Sequence, residues 1–202
     1  MKNKIIIIGS GGHALSCFEV ISKIKKFKII GFVDKKNTST KTLKLIGNDS
    51  DLIELRKKYK NAFIGVGQIK SSSKRNEIYF KLKKNNFYLP KIISVSSLVS
   101  KNCFIDEGTI VMNYSHVNIN STIGKACIIN TGSNIEHDVQ IGDFVHISTG
   151  AIINGNVKIG SNCFIGSGAI VHNGVEIGKN SIISAGKVIK KSLKPFSIIK
   201  WK

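Results

Sequence analysis

Five histidines are the side chains of this sequence that could act as a base near neutral pH. Imidazole is the side chain whose ordinary pKa lies closest to physiological pH. A group transfer at a carbonyl carbon needs such a base to take the proton of the nucleophile, and a donor that stabilises the tetrahedral oxyanion. The candidates are His13, His116, His137, His146 and His172. Which of them does this work depends on the elements that carry it.

The four cysteines offer neither a metal site nor a nucleophile. None of them forms a Cys-x-x-Cys pair, and in the absence of a signal peptide we expect reduced thiols. They are Cys17, Cys103, Cys127 and Cys163. A zinc site would need three histidines on adjacent faces, and the spacing of His116, His137 and His146 matches no ligand pattern. We therefore predict no bound metal.

A glycine-rich turn follows the first apolar run. Gly9-x-Gly11-x-x-Ala14, with an acidic residue at Asp34, satisfies the dinucleotide fingerprint. Glycines let the backbone approach a phosphate, and the N-terminus of the following helix attracts its charge. The part of the chain that carries this turn, residues 1–90, has about half the length of a full dinucleotide-binding unit, which favours a nucleotide-linked substrate over a redox cofactor. A purely structural role of the turn stays open. The predicted binding residues are Gly9, Gly11, Gly12, His13, Asp34, Lys35 and Gly67.

The first part of the chain, residues 1–90, alternates short apolar runs with segments of helical periodicity. Continuous apolar runs of this kind are typical of buried parallel strands. The predicted strands span 4–8, 28–33 and 61–66, and the predicted helices span 14–24, 51–59 and 77–84. This pattern predicts a small Rossmann-like βαβαβ domain.

The second part, residues 91–202, repeats every six residues without interruption over most of its length. Every sixth position from Ile93 to Ile189 is Ile or Val. A period of six with one aliphatic residue per period predicts a solenoid of short β segments. Small residues recur two positions before the aliphatic one, and three of the cysteines share that phase, which indicates inward packing. Glycine follows the aliphatic residue at Gly124, Gly142, Gly160, Gly166 and Gly178, where we expect it to supply the positive φ of a tight corner.

Composition limits the possible partners. The 202 residues include 31 Lys and Arg against 12 Asp and Glu, a formal net charge of +19. Such an excess can attract nucleic acid or anionic ligands, but no aromatic and basic stacking motif accompanies it, and a compositional bias toward Lys, Ile and Asn explains it equally well. No apolar run approaches the roughly 18 residues that span a bilayer. We expect a cytoplasmic protein that neither binds nucleic acid nor inserts into membranes.

The hexads, such as Val157-Lys-Ile-Gly-Ser-Asn-Cys-Phe-Ile-Gly-Ser-Gly, resemble those of the hexapeptide-repeat transferases. That resemblance implies a left-handed parallel β-helix of about five coils. Together with Gly-x-Gly-Gly-His in a small α/β domain, it is similar to the sugar acetyltransferases of the PglD and NeuD type. This implies a nucleotide-sugar in the N-terminal domain, acetyl-CoA as co-substrate, and a homotrimer with its active sites between subunits.

The stretch from Ile129 to His146 carries the strongest similarity to that family. The resemblance makes His137 the general base and Asp138 the residue that raises its basicity. The family pattern has Glu or Asp at this second place; Asp is one methylene shorter than Glu, so Glu136 stays open as a substitute. Asn130 then lines the site.

The same resemblance assigns the residues that meet the co-substrate. It implies that His146, Ser167 and Ala185 contact acetyl-CoA, and that the N–H of Gly155 is the oxyanion donor. The lysines of the last segment meet either coenzyme phosphates or only solvent; they are Lys187, Lys190, Lys191 and Lys194. The C-terminal tail departs from the family pattern.

The leading hypothesis is an N-acetyltransferase acting on a nucleotide-activated 4-amino-4,6-dideoxy sugar for bacterial surface glycans, by direct attack on the thioester. The alternative within the same fold is O-acetylation of sialic acid or a related nonulosonic acid. A non-catalytic β-helix scaffold that binds a nucleotide-sugar stays open as well. The sequence does not separate amine from hydroxyl acceptors, because one histidine base serves both acceptor types. It also does not distinguish uracil from guanine in the nucleotide.

Overall fold

The computed structural model describes residues 2–35 and 44–200, which form a small α/β part followed by a long parallel solenoid. The α/β part has a four-stranded parallel sheet in the order β3-β2-β1-β4. Its strands are β1 Asn3–Ile8, β2 Phe27–Val33, β3 Leu45–Gly47 and β4 Asn61–Ile64. Its helices are α1 Gly12–Ser22, α2 Leu52–Lys58 and α3 Ser73–Lys84, and a 3₁₀ turn at Asp49–Asp51 precedes α2.

The six elements predicted for this part all form, with ends shifted by a few residues. The additional strand β3 was not predicted, because three half-buried residues at a sheet edge leave no recognisable apolar run. Helix α3 begins four residues before the predicted start, since its polar first turn is anchored by the buried Arg75. Within the described ranges, none of the helices is both long and apolar enough to cross a membrane.

From residue 92 the chain winds into a left-handed parallel β-helix. The hexad period predicts the solenoid, and the family resemblance implies its left hand; both are confirmed. Its two-residue strands stack into three flat sheets, and each residue pairs with the one 18 positions further on, as Ile129 does with Ile147. Three hexads therefore make one coil. The strands are β5 Ile92–Ile93, β6 Leu98–Val99, β7 Phe104–Ile105, β8 Ile110–Val111, β9 His116–Val117, β10 Thr122–Ile123, β11 Ile128–Ile129, β12 Asn134–Ile135, β13 Gln140–Ile141, β14 His146–Ile147, β15 Ile152–Ile153, β16 Lys158–Ile159, β17 Phe164–Ile165, β18 Ile170–Val171, β19 Glu176–Ile177, β20 Ile182–Ile183, β21 Val188–Ile189 and β22 Ile198–Ile199.

The aliphatic residue of each hexad points into the solenoid. All of these residues except the first two, Ile93 and Val99, are buried in one continuous core. Burial of each contributes about 1.5–3 kcal/mol, and their β-branched shape suits the pleated surface. Cys127 and Cys163 are fully buried in the same core, and burial raises their thiol pKa values to about 12 and about 11. Inward packing of these two cysteines is confirmed.

The glycines that follow the aliphatic residues do not supply the left-handed corners, so that expectation was wrong. Positive φ occurs three residues after the aliphatic one, at positions held by residues such as Asp138 (φ 60°), Gly150 (φ 65°) and Asn156 (φ 56°). The glycines are needed because the next coil passes very close to them. A Cβ at Gly142 would lie 2.7 Å from the backbone nitrogen of Ser161.

The C-terminal residues continue the solenoid rather than leaving it as a tail. Leu193 forms a bridge with Ile177, and β22 pairs with β20. Ile199 stands 16 positions after its partner Ile183, so this last coil is two residues shorter than the others. The seven strands of one sheet delimit six coils instead of the expected five or so, because the shortening breaks the hexad spacing after Ile189.

The α/β part packs on the outer face of the seven-stranded sheet of the solenoid. Ile92, Ile110 and Ile128 of that face are fully buried in one cluster with Ala14 of α1 and Phe63 of β4. The predicted division at residue 90 falls just before β5, where the solenoid begins. The two parts therefore share an apolar junction that fixes the α/β part beside the first three coils.

Candidate active site

His137 stands at a corner of the β-helix, between β12 and β13. Its side chain is 53% exposed, and its Nδ1 lies 2.8 Å from Oδ2 of Asp138. Asp138 adopts the left-handed conformation, which aspartate tolerates better than most residues. Because a carboxylate oxygen only accepts, Nδ1 is the donor of this hydrogen bond, and in the neutral ring Nε2 then carries the lone pair. This is the arrangement of an oriented general base.

Asp138, and not Glu136, is the carboxylate that contacts His137. The hydrogen bond from His137, with a second one from an asparagine of the preceding coil, holds the pKa of Asp138 below its usual value. Glu136 accepts its hydrogen bonds from Asn134 and Asn118 instead, and these lower its pKa. Of the two supports that the sequence left open, only Asp138 lies in hydrogen-bond contact with the imidazole.

Gly155 lies against the His137 ring, one coil further along the chain. A Cβ at this position would stand 2.7 Å from both Cε1 and Nε2 of the imidazole, so only glycine lets the ring lie here. Within residues 2–35 and 44–200, the backbone N–H of Gly155 makes no hydrogen bond. The predicted base and the predicted oxyanion donor are therefore brought together.

A cleft of about 530 Å³ lies where the α/β part meets the later coils of the seven-stranded sheet. Two residues predicted to meet acetyl-CoA, Ser167 and Ala185, line it. The other lining residues are Ile69, Lys70, Phe164, Ile182, Ser184, Ile198 and Lys200. The cleft thus combines a largely apolar wall with two lysines, and neither of these lysines was among the predicted site residues.

Asn130 and His146, both predicted site residues, are bonded to each other. Asn130 Nδ2 donates to His146 Nε2 at 3.1 Å, and His146 Nδ1 donates to the Gln68 carbonyl at 2.6 Å. Burial lowers the pKa of His146 to about 4, so this ring is neutral at physiological pH. It packs edge-on against Phe164 but does not itself line the cleft. Its contact with acetyl-CoA stays a prediction.

The glycine-rich turn leads from β1 into the N-terminus of α1. Gly9 has a φ of 98°, and a Cβ there would stand 2.9 Å from Val66. Gly11 and Gly12 have open space where a Cβ would point, and Gly11 caps α1 without any side-chain hydrogen bond. The first N–H groups of the helix can therefore be approached by an anion.

Asp34 and Lys35 lie beside this turn. Asp34 Oδ2 accepts hydrogen bonds from the backbone N–H and the hydroxyl of Ser10, at 2.8 and 2.7 Å. Lys35 Nζ stands 3.9 Å from Asp49. Asp34 thus shapes the turn, and its predicted contact with a ribose stays a prediction.

His13 is the second residue of helix α1 and packs beside Gly67, which follows β4. A Cβ at Gly67 would stand 3.5 Å from the Cβ of His13. Burial, with help from Arg75 and His146, lowers the pKa of His13 to about 3. It can therefore bind a ligand as a neutral hydrogen-bonding group but not as a cation.

His137 and the cleft lie on opposite sides of the same chain. His137 joins a strand of the six-stranded sheet to a strand of the five-stranded sheet, whereas the cleft is built on the seven-stranded sheet. In a triangular solenoid the corner between two sides faces away from the third. The His137 side chain therefore does not face the cleft of its own chain.

The remaining candidates are less informative. His116 donates from Nδ1 to Asn134, and His172 is exposed. The lysines predicted as alternatives for coenzyme phosphates do not line the cleft; they are Lys187, Lys190, Lys191 and Lys194. In the part of the chain that the structure describes, no group of three or more His, Cys, Asp or Glu side chains could hold a metal ion.

Comparison with known proteins gives two family matches. Residues 4–82 match the PglD N-terminal domain, and residues 156–191 match the hexapeptide repeat of succinyl-transferase. No curated protein matches the chain.

Solved structures match nearly the whole length. One is perosamine N-acetyltransferase from Caulobacter crescentus, solved as a histidine-to-asparagine variant in complex with CoA and GDP-perosamine. It is 29% identical to this chain over 97% of this chain and 92% of that one, with a TM-score of 0.91. The acetyltransferase domain of PglB from Neisseria gonorrhoeae, with acetyl coenzyme A, is 28% identical over 98% and 96%, with a TM-score of 0.92. WeeI from Acinetobacter baumannii, 23% identical over 98% and 96% with a TM-score of 0.85, shares the fold.

The small α/β domain and the hexapeptide solenoid, together with neighbours crystallised with CoA or acetyl-CoA, define an acetyltransferase built on a left-handed β-helix. Within that class, the chain is similar to sugar acetyltransferases such as perosamine N-acetyltransferase, and it matches the PglD N-terminal domain ahead of its repeats.

Proposed function

We propose that this protein transfers an acetyl group from acetyl-CoA to the amine of a nucleotide-activated 4-amino-4,6-dideoxy sugar. The observation that carries the proposal is the 2.8 Å contact between His137 Nδ1 and Asp138, with Nε2 free beside Gly155. The neighbour crystallised with CoA and GDP-perosamine supports both substrate classes. The product would enter surface glycan synthesis, and the enzyme would work in the cytoplasm.

The chemistry follows from the state of the His137 ring. Acetyl-CoA supplies a thioester carbonyl and a thiolate leaving group. His137 Nε2 takes a proton from the amine as the nitrogen attacks the carbonyl carbon, and Asp138 stabilises the imidazolium. The N–H of Gly155 donates to the oxyanion. As the new C–N bond is completed and the C–S bond breaks, His137 gives the proton to the sulfur.

The cleft around Ser167 and Ala185 suits acetyl-CoA. Its apolar wall fits a long, thin arm, and Lys70 and Lys200 match the phosphates of the same molecule. The turn at Gly11 and the N-terminus of α1 suit the diphosphate of the sugar nucleotide. Both proposed sites lie on the side of the chain away from its own His137.

We therefore propose a homotrimer in which the His137 corner of one subunit completes the cleft of its neighbour. A cyclic assembly repeats the same interface, so every cleft receives a base. This arrangement is also what the resemblance to the PglD and NeuD type implies.

The direct test is thiol release from acetyl-CoA with a panel of acceptors: UDP- and GDP-linked 4-amino sugars and free sialic acids. We expect turnover with an amino-sugar nucleotide, and a loss of about 10²–10⁴-fold in His137→Ala. Turnover with sialic acid alone would move the enzyme to O-acetylation. A His137→Ala variant with the wild-type rate would refute the assigned base.

A mixing experiment tests the shared site. His137→Ala removes the base, and Ala185→Trp fills the cleft, so each variant alone should be inactive. After co-refolding in equal amounts, about a quarter of the interfaces would pair two intact halves, with a corresponding return of activity. No return of activity, although mixed trimers form, would contradict a site built from two subunits.

A further inference from the structure

Arg75 is a charged side chain buried in the junction between the two parts of the chain. It is 1% exposed, and it is one of only two arginines in a sequence that otherwise uses lysine. Its Nε donates to the Ala126 carbonyl at 2.7 Å, and its Nη1 donates to the carbonyls of Ile64 and Val66 at 3.0 and 2.8 Å. These contacts tie the end of β4 to a corner of the β-helix.

Gln68 reaches across the same junction from the other direction. It is 4% exposed, and its Nε2 donates to the carbonyls of Phe144 and Cys163 at 2.9 and 3.3 Å. Its own backbone carbonyl accepts the hydrogen bond of His146. The backbone at this residue is therefore fixed to the β-helix through both its side chain and its carbonyl.

Among the residues that the structure describes, both side chains carry a buried polar atom without a hydrogen-bond partner: Arg75 Nη2 and Gln68 Oε1. Burying an uncompensated guanidinium is costly, and apolar residues of similar volume often fill such a place at no loss of stability. A role in packing alone would therefore not require these two residues. The hydrogen bonds of Arg75 and Gln68 instead fix the backbone conformation of the loop at residues 66–70.

That loop forms one wall of each proposed binding site. Ile69 and Lys70 line the cleft, and Gly67 packs beside His13 at the start of α1. We propose that Arg75 and Gln68 are positioning residues that hold loop 66–70 in place, so that Ile69 and Lys70 shape the coenzyme cleft. This inference rests on the proposed function for the identity of the ligand, but not for the rigidity of the loop.

The test uses two variants. Arg75→Lys keeps the charge but loses the forked guanidinium, and Gln68→Leu removes both hydrogen bonds that Nε2 donates. We expect each variant to raise the KM for acetyl-CoA by about tenfold or more, with kcat within about threefold of wild type. Ser72→Ala is the matched control, because Ser72 ties the same junction to Asn162 without touching the loop. Arg56→Lys controls for the other arginine, which donates to a carbonyl at the surface.

Hydrogen exchange of this protein, in whatever oligomeric state it adopts, separates this proposal from the proposed function. Faster exchange of loop 66–70 in both variants, but not in the controls, supports the positioning role even if no acceptor turns over. If Arg75→Lys does not fold, Gln68→Leu decides the matter. Unchanged exchange and unchanged KM in folded Gln68→Leu, or the same change in Ser72→Ala, would overturn the inference.

Discussion

The imidazole of His137 lies directly against the backbone of Gly155, the residue 18 positions further along the β-helix. A Cβ added at Gly155 would meet Nε2 and Cε1 of the ring at 2.7 Å. The coil spacing thus brings the candidate base and the candidate oxyanion donor into contact, and the absence of a side chain at Gly155 makes that contact possible.

Gly155→Ala should therefore displace the His137 ring. We expect kcat to fall by about 10²-fold or more, because a misplaced base loses most of its contribution. Steady-state kinetics measures this. Gly150→Asn is the control: its φ of 65° suits asparagine, no neighbour stands where its Cβ would point, and it should keep the wild-type rate. Full activity in Gly155→Ala would show that the ring does not work in this position.

The support of His137 by Asp138 gives a second prediction. Asp138→Asn keeps a residue that tolerates positive φ but removes the charge next to Nδ1, so kcat should fall by about 10²-fold. Glu136→Gln, a neighbouring carboxylate with no hydrogen bond to the imidazole, should stay within about threefold of wild type. The reverse ranking of the two kcat values would return the supporting role to Glu136.

Acid should destabilise the junction through His146. Burial lowers its folded pKa to about 4, against about 6.5 in the unfolded chain, so the unfolded chain binds the proton first as the pH falls. Stability that is fully present above about pH 6.5 is therefore lost progressively down to about pH 4. We expect Tm to fall across this window in thermal denaturation.

The variant His146→Gln should show a lower Tm at neutral pH and a flatter profile below it, because one of the two buried titrating histidines is gone while His13 remains. His172→Gln, which alters an exposed histidine, should follow the wild-type curve. Parallel pH profiles for wild type and His146→Gln would rule out this histidine as the source of acid sensitivity.

The close passage of successive coils predicts a stability effect at Gly142. A methyl group there would collide with the backbone nitrogen of Ser161, at 2.7 Å, so Gly142→Ala should destabilise the protein by about 1–3 kcal/mol. Gly174→Asn, at a left-handed corner with open space, should cost much less. Denaturant unfolding compares the two. If Gly174→Asn lowers the free energy of unfolding as much as Gly142→Ala or more, the glycines are required for backbone conformation and not for the close spacing of the coils.

Much of the fold could be predicted because its signals are local. The hexad period alone predicts the solenoid and its inward residues, since each short strand repeats the pattern of the one before it. The 18-residue coil, three hexads long, follows from the family resemblance and is confirmed by the strand pairing. Apolar runs likewise predicted β1, β2 and β4. The sixth coil was missed because it is two residues shorter and so falls out of the period after Ile189.

The candidate site was only partly accessible in the same way. The adjacency of His137 and Asp138 is a sequence feature, but the choice between Asp138 and Glu136 depends on which side chain the left-handed corner turns toward the ring. Arg75 had one weak signal, the rarity of arginine in a lysine-rich chain, and its burial could not be read from that.

By itself, the sequence determined the two-part organisation and the repeat, because period and apolar patterning are properties of the chain. The candidate base came from the resemblance of the stretch from Ile129 to His146 to the family segment. Only the tertiary structure decided that Gly155 underlies His137, that loop 66–70 walls the cleft, and that the cleft faces away from its own base. These relations join residues from different coils and different domains, and their distances depend on how the coils stack and how the α/β part docks on them.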